Sequence, residues 1–214
     1  MRIVFFGDSI TDFGRDRSNG LIGMGQGYPL LVTASLSLSQ PGQHSFLNRG
    51  VSGNSVLDLY ARVKQDVWNR APELLSILIG INGVWHDLEP EPYGVDAARY
   101  ETVYRMLLQE TIARFPDIRL MILEPFVLRT GAAVEAWETF HAETALRAAS
   151  ARKAAEEAHA VFVPLQRVFD DACRIQPPSY WLADGVHPTP AGHQLIANEW
   201  LRAFEMLRLR DGNG

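Results

Sequence analysis

Short apolar segments alternate with longer amphipathic segments along most of the chain. The uninterrupted apolar run at residues 3–6 is rich in β-branched and aromatic residues, which is typical of a strand buried on both faces of a parallel sheet. Four further segments have strand character, at residues 45–48, 74–79, 118–123 and 161–163. The pattern therefore predicts five strands in one sheet.

Helical periodicity separates these strands. The predicted helices cover residues 28–38, 55–68, 96–114, 133–159, 166–174 and 190–207. The segment at 133–159 is crowded with Ala, Glu, Arg and Lys, which indicates a solvated outer layer. Because strands that alternate with helices require right-handed crossovers, we expect a single α/β domain over residues 1–214, a three-layer α/β/α sandwich with a five-stranded parallel sheet.

Composition and charge narrow the class of protein. With 214 residues, 47% of them hydrophobic, the chain is long enough to bury a sizeable core. A net charge of -5 offers no basic surface for nucleic acid or for an anionic membrane. No apolar stretch is long enough to cross a bilayer, and the first strand leaves no room for a signal peptide before it. Since Cys173 is the only cysteine, no intrachain disulfide can form, and we expect a cytoplasmic protein.

The first strand leads directly into Gly7, Asp8 and Ser9. Ligands of open α/β sheets bind at the carboxyl ends of strands, so the Ser9 hydroxyl would lie where chemistry is possible. Gly7 would permit the sharp turn that exposes it. A turn without any further role is the alternative, because Gly, Asp and Ser favour turns for conformational reasons.

A second group of reactive residues lies near the other end of the chain, where His187 follows Asp184 by three residues in a loop before the last helix. The carboxylate can fix the imidazole tautomer and stabilise the imidazolium that forms when the other ring nitrogen takes a proton from a serine hydroxyl. A helix cap beside a surface histidine would show the same spacing. Together with Ser9, the chain order Ser, Asp, His is one that other hydrolases use.

An acyl-transfer reaction also requires hydrogen-bond donors for the oxyanion. Gly53 and Asn82 lie in two glycine-containing loops, each of which follows a predicted strand. They could offer a backbone N–H and a side-chain amide to charge that develops in the transition state. Turn or cap roles are the alternatives for both residues. We expect these loops to meet Ser9 and His187 in one crevice at the carboxyl edge of the sheet.

Four sequence blocks resemble, in order, those of the GDSL or SGNH hydrolase superfamily. They are GDS at 7–9, NRGVSG at 48–53, GIN at 80–82 and DGVH at 184–187. The resemblance implies a flavodoxin-like fold, with Ser9 as the nucleophile, His187 as the general base and Asp184 as its orienting partner. It also implies an oxyanion hole from the Ser9 and Gly53 backbone N–H groups and the Asn82 side chain, with no metal or organic cofactor.

Longer stretches resemble intracellular carbohydrate acetylesterases, especially those that remove acetyl groups from xylo-oligosaccharides. These stretches are GDSITDFGR, GYPLLV, NRGVSGNSVLDL, GINGVWH and DGVHPTPAGHQLIANEWL. The resemblance implies a serine esterase that acts on a small acetylated carbohydrate through an acyl-enzyme, and a homo-oligomer. Asp8, Trp85 and His86 are candidate substrate-binding residues. Trp85 could stack on a sugar ring or pack in the core.

The chain departs from the superfamily pattern at Gly83, where relatives usually carry aspartate after the oxyanion asparagine. Glycine there could loosen the loop that aims Asn82. His86 stands where the acetylesterases often have arginine, and it is interpreted, like His193 and Asp12, as structural or solvent-facing rather than catalytic. Two alternatives stay open: a thioesterase or lysophospholipase on the same scaffold, and a carbohydrate-binding module that has lost turnover.

Overall fold

The computed structural model describes residues 1–18 and 23–211 and contains one five-stranded sheet, as the hydrophobic pattern predicts. The strands are β1 (Arg2–Gly7), β2 (Ser45–Gly50), β3 (Leu74–Leu78), β4 (Arg119–Leu123) and β5 (Val161–Val163). Their order across the sheet is β2-β1-β3-β4-β5, and every neighbouring pair is parallel. Strand β1 therefore lies inside the sheet, between β2 and β3. Its carboxyl end has a neighbouring strand on each side at the carboxyl edge of the sheet.

The helices of the described residues range from one turn to 22 residues. They are α1 (Ser9–Asp12), α2 (Tyr28–Ser39), α3 (Val56–Asp66), α4 (Ile81–Trp85), α5 (Ala97–Arg114), α6 (Trp137–Glu157), α7 (Leu165–Ala172), α8 (Pro178–Trp181) and α9 (Pro190–Asp211). Short 3-10 turns follow α3 and α4 and precede α6. Within the described part of the chain, no helix is both long and apolar enough to cross a membrane.

Two apolar cores lie on opposite faces of the sheet, which gives the predicted three layers. On β1, Ile3 and Phe5 belong to the core that includes residues of α2, α7 and α9, whereas Val4 and Phe6 belong to the core that includes residues of α3 and α5. All four side chains are fully buried, which explains the uninterrupted apolar run. Burial of one such side chain stabilises the fold by about 1.5–3 kcal/mol.

Several predicted boundaries are wrong for identifiable reasons. The helix predicted at 133–159 begins at Trp137, because the preceding residues form a 3-10 turn in which Gly131 has a φ of 52°. It is not simply a solvated layer, since Phe140 and Arg147 on it are buried. The predicted loop after β3 is helix α4. Like α1 and α8, α4 is too short for its periodicity to be recognised in the sequence.

Candidate active site

The end of β1 places Ser9 at the first position of helix α1. The Oδ1 atom of Asp8 accepts a hydrogen bond of 3.0 Å from the backbone N–H of Ile10, so Asp8 caps this single turn. Glycine is required at position 7 for close packing rather than for an unusual backbone conformation, because its φ is not positive and a Cβ there would overlap the carbonyl of Leu78 and the side chain of Thr11. Ser9 consequently lies at the carboxyl edge of the sheet, half-buried.

The loop between α8 and α9 is shaped by the carboxylate of Asp184. Its Oδ1 atom accepts hydrogen bonds from the backbone N–H groups of Val186 (3.0 Å) and His187 (2.8 Å). Gly185 between them has a φ of 100°, which a residue with a side chain rarely adopts. These local bonds fix the position of the imidazole relative to the carboxylate before any contact with Ser9 is made.

Three side chains form a continuous hydrogen-bonded chain. Ser9 Oγ lies 2.8 Å from His187 Nε2, and His187 Nδ1 lies 2.7 Å from Asp184 Oδ2. Hydrogen bonds from His187 and two backbone N–H groups outweigh the effect of partial burial and lower the pKa of Asp184 to about 2. The hydrogen bond to Asp184 in turn raises the pKa of His187, although partial burial opposes the shift. The arrangement can take a proton from Ser9 and stabilise the charge that results.

Asp8 is a second carboxyl group close to Ser9. It is 1% exposed, and its Oδ2 atom has no hydrogen-bond partner. Burial raises the pKa of Asp8 to about 7, against the opposing effects of the Ile10 N–H and of the positive charges of His187 and Arg62. The observed burial places Asp8 beneath Ser9 as a cap, so the direct substrate contact predicted for it would require the pocket to open.

A hydrogen bond links the segments that carry the two predicted oxyanion donors, Gly53 and Asn82. Gly53 lies in an exposed loop with a φ of 80°. Asn82 is the second residue of α4 and is buried, and its Nδ2 atom donates a hydrogen bond of 2.9 Å to the backbone carbonyl of Asn54. An amide nitrogen carries two hydrogens, so a second N–H can still be donated to a ligand.

Gly83, which is predicted to lie in a loop, is part of helix α4 in the structure. It is buried, and its carbonyl accepts a hydrogen bond of 3.1 Å from the backbone N–H of Val95. A Cβ on Gly83 would lie 3.1 Å from the Val95 carbonyl oxygen and 3.3 Å from Arg147 Nε. The helix and its packing restrict the backbone around this glycine, and the expected effect of Gly83 on Asn82 stays a prediction.

Residues 5–195 match the model of the GDSL-like Lipase/Acylhydrolase family. The chain belongs to this family. It is 34% identical, over 98% of its length and 97% of the relative's, to an acetylxylan esterase from Geobacillus stearothermophilus. The crystal structure of that organism's acetylxylan esterase Axe2 superimposes with a TM-score of 0.84 at 31% identity, covering 94% and 93% of the two chains. This GDSL hydrolase is thus a carboxylic ester hydrolase.

Further solved structures are similar to this GDSL hydrolase. A protein from Parabacteroides merdae, described as a GDSL-like lipase, is 41% identical, with a TM-score of 0.89 over 94% of both chains. Two variants of Axe2 that are described as catalytic mutants replace a serine and an aspartate by alanine.

Aromatic side chains flank the catalytic edge of this GDSL hydrolase. The ring of Trp85 lies 6.2 Å from the ring of His187, centroid to centroid, and packs edge-on against Phe140 at 5.6 Å. His86 instead stacks on exposed Tyr93 at 4.2 Å. Trp85 is thus adjacent to the imidazole, whereas His86 lies in an aromatic pair outside the hydrogen-bonded chain of Ser9.

His193 on α9 is structural, as predicted, but it is not solvent-facing. It is 1% exposed, its Nδ1 atom accepts a 3.2 Å hydrogen bond from the backbone N–H of Tyr28, and its ring contacts Phe13 at 4.6 Å. Burial, together with the charge of His187, lowers the pKa of His193 to about 4.

A polar network around Arg15 was not predicted from the sequence. Its guanidinium donates to Asp12 Oδ1 (3.0 Å), to the carbonyl of Asn48 (2.6 Å) and to the carbonyl of Gly50. Asp12 also accepts hydrogen bonds from the backbone N–H and hydroxyl of Ser52, at 3.1 and 3.0 Å. This network attaches the loop that contains Gly53 to helix α1. Among residues 1–18 and 23–211, no cluster of three or more His, Cys, Asp or Glu side chains is arranged to hold a metal ion.

Proposed function

We propose that this GDSL hydrolase removes acetyl groups from xylo-oligosaccharides, with Ser9, His187 and Asp184 as its catalytic triad. The observation that carries the proposal is the hydrogen-bonded chain from Ser9 Oγ through both imidazole nitrogens to Asp184, with distances of 2.8 and 2.7 Å. Such a chain is the arrangement that activates a serine hydroxyl for acyl transfer.

In the first half of the reaction, Ser9 Oγ attacks the acetyl carbonyl carbon while His187 Nε2 takes the hydroxyl proton. The resulting oxyanion accepts hydrogen bonds from the backbone N–H groups of Ser9 and Gly53 and from the Asn82 amide. His187 then gives its proton to the departing sugar oxygen, which leaves an acetyl ester on Ser9. Asp184 stays ionised throughout, because its pKa of about 2 lies far below neutrality.

In the second half, water attacks the acetyl group bound to Ser9. His187 takes the proton from this water, and the oxyanion uses the same three donors. Collapse of the tetrahedral intermediate breaks the bond to Ser9 Oγ, returns the proton to Ser9 and releases acetate. No group outside the triad and the oxyanion donors is required for either half.

Two observations support xylo-oligosaccharides as the proposed substrate: the names of the relatives and the position of one side chain near His187. The relatives of this GDSL hydrolase include an acetylxylan esterase and variants described as an acetyl-xylooligosaccharide esterase, both from Geobacillus. Trp85, whose ring lies 6.2 Å from that of His187, offers an aromatic surface beside the reacting atoms. Aromatic surfaces of this kind suit the apolar face of a sugar ring.

The decisive experiment measures acetate released from acetylated xylo-oligosaccharides. Wild type should release acetate, and Ser9→Ala should release none above background. Ser39→Ala is a matched control, because Ser39 is an exposed serine at the end of α2. It should release acetate at the wild-type rate. Asn82→Ala should lower kcat by about 100- to 1000-fold, as expected for the loss of one oxyanion donor.

Absence of acetate release by wild type would contradict the carbohydrate proposal. A series of acyl esters and thioesters of increasing chain length then identifies the alternative, since the family model also covers lipases and acylhydrolases. Faster turnover of long chains would indicate a thioesterase or lysophospholipase. Binding of acetylated oligosaccharide without turnover of any ester would indicate a binding module.

A further inference from the structure

Arg62 on helix α3 connects three backbone segments at the catalytic edge. Its Nε atom donates to Asn54 Oδ1 at 2.6 Å, and its Nη2 atom donates to the carbonyl of Gly7 at 3.0 Å. Its Nη1 atom donates to the carbonyl of Arg49 at 2.8 Å and to Asp66 Oδ2 at 2.7 Å. Only 17% of the side chain is exposed. These bonds engage all three guanidinium nitrogens.

The groups that Arg62 binds are next to the proposed catalytic groups. Gly7 lies two residues before Ser9, at the end of β1. Asn54 follows Gly53 directly in the sequence. The carbonyl of Gly7 also accepts a 3.0 Å hydrogen bond from the backbone N–H of Val51, so the Gly53 loop, defined here as residues 51–55, is joined to the nucleophile segment at this point.

Asn54 extends the connection to the third oxyanion donor. Its side chain accepts from Arg62, while its backbone carbonyl accepts from Asn82 Nδ2 at 2.9 Å. A continuous path of hydrogen bonds therefore runs from Arg62 through Asn54 to Asn82. Any displacement of Asn54 moves both the Asn82 amide and the neighbouring backbone of Gly53.

Gly53 itself provides no anchor. It is exposed, and a Cβ built on it would meet nothing within 4 Å. The position of its N–H must therefore be set by its neighbours. Asp12 binds Ser52 on one side, and Arg62 binds Asn54 on the other.

Arginine is suited to this position for a geometric reason. Its planar guanidinium presents donors in a fixed fork, whereas a lysine would present one flexible ammonium group. The fork is further restricted because its central carbon lies 4.5 Å from the centroid of the Phe6 ring. Since Phe6 is fully buried in β1, the arginine is held against the rigid sheet.

We propose that Arg62 is a positioning residue for the oxyanion site. It holds Asn54 so that the Gly53 N–H and the Asn82 amide converge on the tetrahedral intermediate formed at Ser9. The inference rests on the proposed function for the identity of the oxyanion donors. It assigns to Arg62 an effect on kcat rather than on substrate binding, because the donors it places act on charge that develops only in the transition state.

The test compares kcat and KM for 4-nitrophenyl acetate, a probe that does not depend on carbohydrate recognition. Arg62→Gln should lower kcat by about 10- to 100-fold and leave KM within about threefold, because small displacements of oriented groups are costly to catalysis. Arg62→Lys should recover only part of the loss. Asp66→Asn is the matched control, since it removes the charge of one partner of Arg62, keeps a hydrogen-bond acceptor there and leaves the bonds to Gly7, Arg49 and Asn54. Its kcat should stay within about threefold of wild type.

A double-mutant cycle separates positioning from a general loss of structure. If Arg62 acts through Asn82, Arg62→Gln should lower kcat in an Asn82→Ala background by a factor at least about threefold smaller than in wild type. All rates are taken at least ten degrees below the Tm of each variant, as a working margin against unfolding. If Arg62→Gln does not fold, Asn54→Ala tests the same link and should also lower kcat with KM unchanged.

The possible outcomes distinguish the two proposals. Unchanged kcat in Arg62→Gln and in Asn54→Ala, or an equal loss in both backgrounds, overturns the role of Arg62 and leaves the esterase proposal intact. Hydrolysis of 4-nitrophenyl acetate through Ser9, without acetate release from xylo-oligosaccharides, overturns the substrate proposal alone. Turnover of 4-nitrophenyl acetate by Ser9→Ala at the wild-type rate overturns both.

Discussion

The two sides of the candidate catalytic crevice are held in place by different forces. On the side formed by β1 and β2, Ser52 and Gly53 are exposed, and charged side chains bind the surrounding backbone. On the side formed by β3, Ile81, Asn82 and Val84 of helix α4 are buried among apolar neighbours. The first side is fixed by directed polar bonds, and the second mainly by packing.

The contrast follows from solvent exposure. An exposed loop buries too little apolar surface to be fixed by the hydrophobic effect, so its conformation depends on hydrogen bonds to its backbone. Arg15 and Arg62 supply such bonds, and bonds from a charged donor are stronger than neutral ones. A buried helix such as α4 is restrained on several sides by close-packed atoms and depends less on any single bond.

The largest effect should follow a steric change on the polar side. Gly50→Ala would place a Cβ on top of the backbone of Asp12, where β2 passes helix α1. Since backbone cannot yield as a side chain can, we expect a loss of about 3 kcal/mol of unfolding free energy. We also expect kcat for 4-nitrophenyl acetate to fall by about 100-fold, because Ser9 and Gly53 are displaced relative to each other.

Gly83→Ala is the matched change on the packed side. The new Cβ at position 83 would lie no closer than 3.1 Å to any neighbouring atom, and one of these neighbours is a side-chain atom of Arg147. Urea unfolding and steady-state kinetics of both variants test the comparison. Equal losses in the two would contradict it.

Arg15 and Arg147, whose side chains are 7% and 0% exposed, should differ in their contribution to stability. Arg15→Met removes the donors to the carbonyls of Asn48 and Gly50 and takes from Asp12 its nearest positively charged partner, which should cost about 2–3 kcal/mol of unfolding free energy. Arg147→Met should cost less, about 1–2 kcal/mol: it also removes a donor to the buried carbonyl of Val95, but its charged partner Glu143, at 2.7 Å, is partly exposed and can be hydrated.

Turnover should separate the two arginines further. Arg15→Met should lower kcat by about tenfold, since it releases the Gly53 loop, whereas Arg147→Met should leave kcat within about threefold of wild type. Urea titrations give the free energies, and initial rates on 4-nitrophenyl acetate give kcat. A larger loss of kcat in Arg147→Met than in Arg15→Met would show that the packed side is the more sensitive one.

Much of the fold and of the candidate site could be predicted from the sequence because the signals are local. The apolar run of β1 reflects burial on both faces, and the blocks that contain Ser9, Gly53, Asn82 and Asp184 are short and contiguous. The catalytic roles of these residues stay predictions, as do the single domain, the compartment and the oligomeric state.

The network that holds the site could not be predicted, because its members are distant in sequence and individually ordinary. Arg62 lies on an amphipathic helix, where a charged residue normally indicates a solvated face, yet it contacts Gly7, which is 55 positions away. Nothing near Arg15 in the sequence identifies the carbonyl of Asn48 as its partner. Only the parallel pairing of β1 with β2 brings these groups together.

Low pH should lower the free energy of unfolding through His193, which contacts Tyr28 and Phe13 near the polar side of the crevice. Its pKa of about 4 in the folded protein lies below the ordinary value of 6.5, so the unfolded chain takes up a proton first as the pH falls. This contribution to stability is complete above about pH 6.5 and is lost towards pH 4. At pH 5 the loss should reach about 2 kcal/mol. Urea unfolding at pH 7.5 and pH 5 measures the loss of unfolding free energy. The loss should be smaller for His193→Asn, which keeps an acceptor for the Tyr28 N–H, than for wild type. Equal losses in both proteins would exclude His193 as the source.

The smallest expected effect is a displacement of the acid limb of the pH profile of kcat/KM. In the proposed mechanism turnover requires neutral His187, so activity should be lost as the pH falls through the pKa of this residue, which its bond to Asp184 holds above the ordinary value of 6.5. The negative charge of Asp8 raises this pKa further, and Asp8→Asn removes that charge while keeping an acceptor for the N–H of Ile10. The acid limb of Asp8→Asn should therefore move to lower pH. A limb that stays in place or moves to higher pH would show that Asp8 is already protonated where His187 titrates, and that this buried carboxyl serves the polar side as a cap alone.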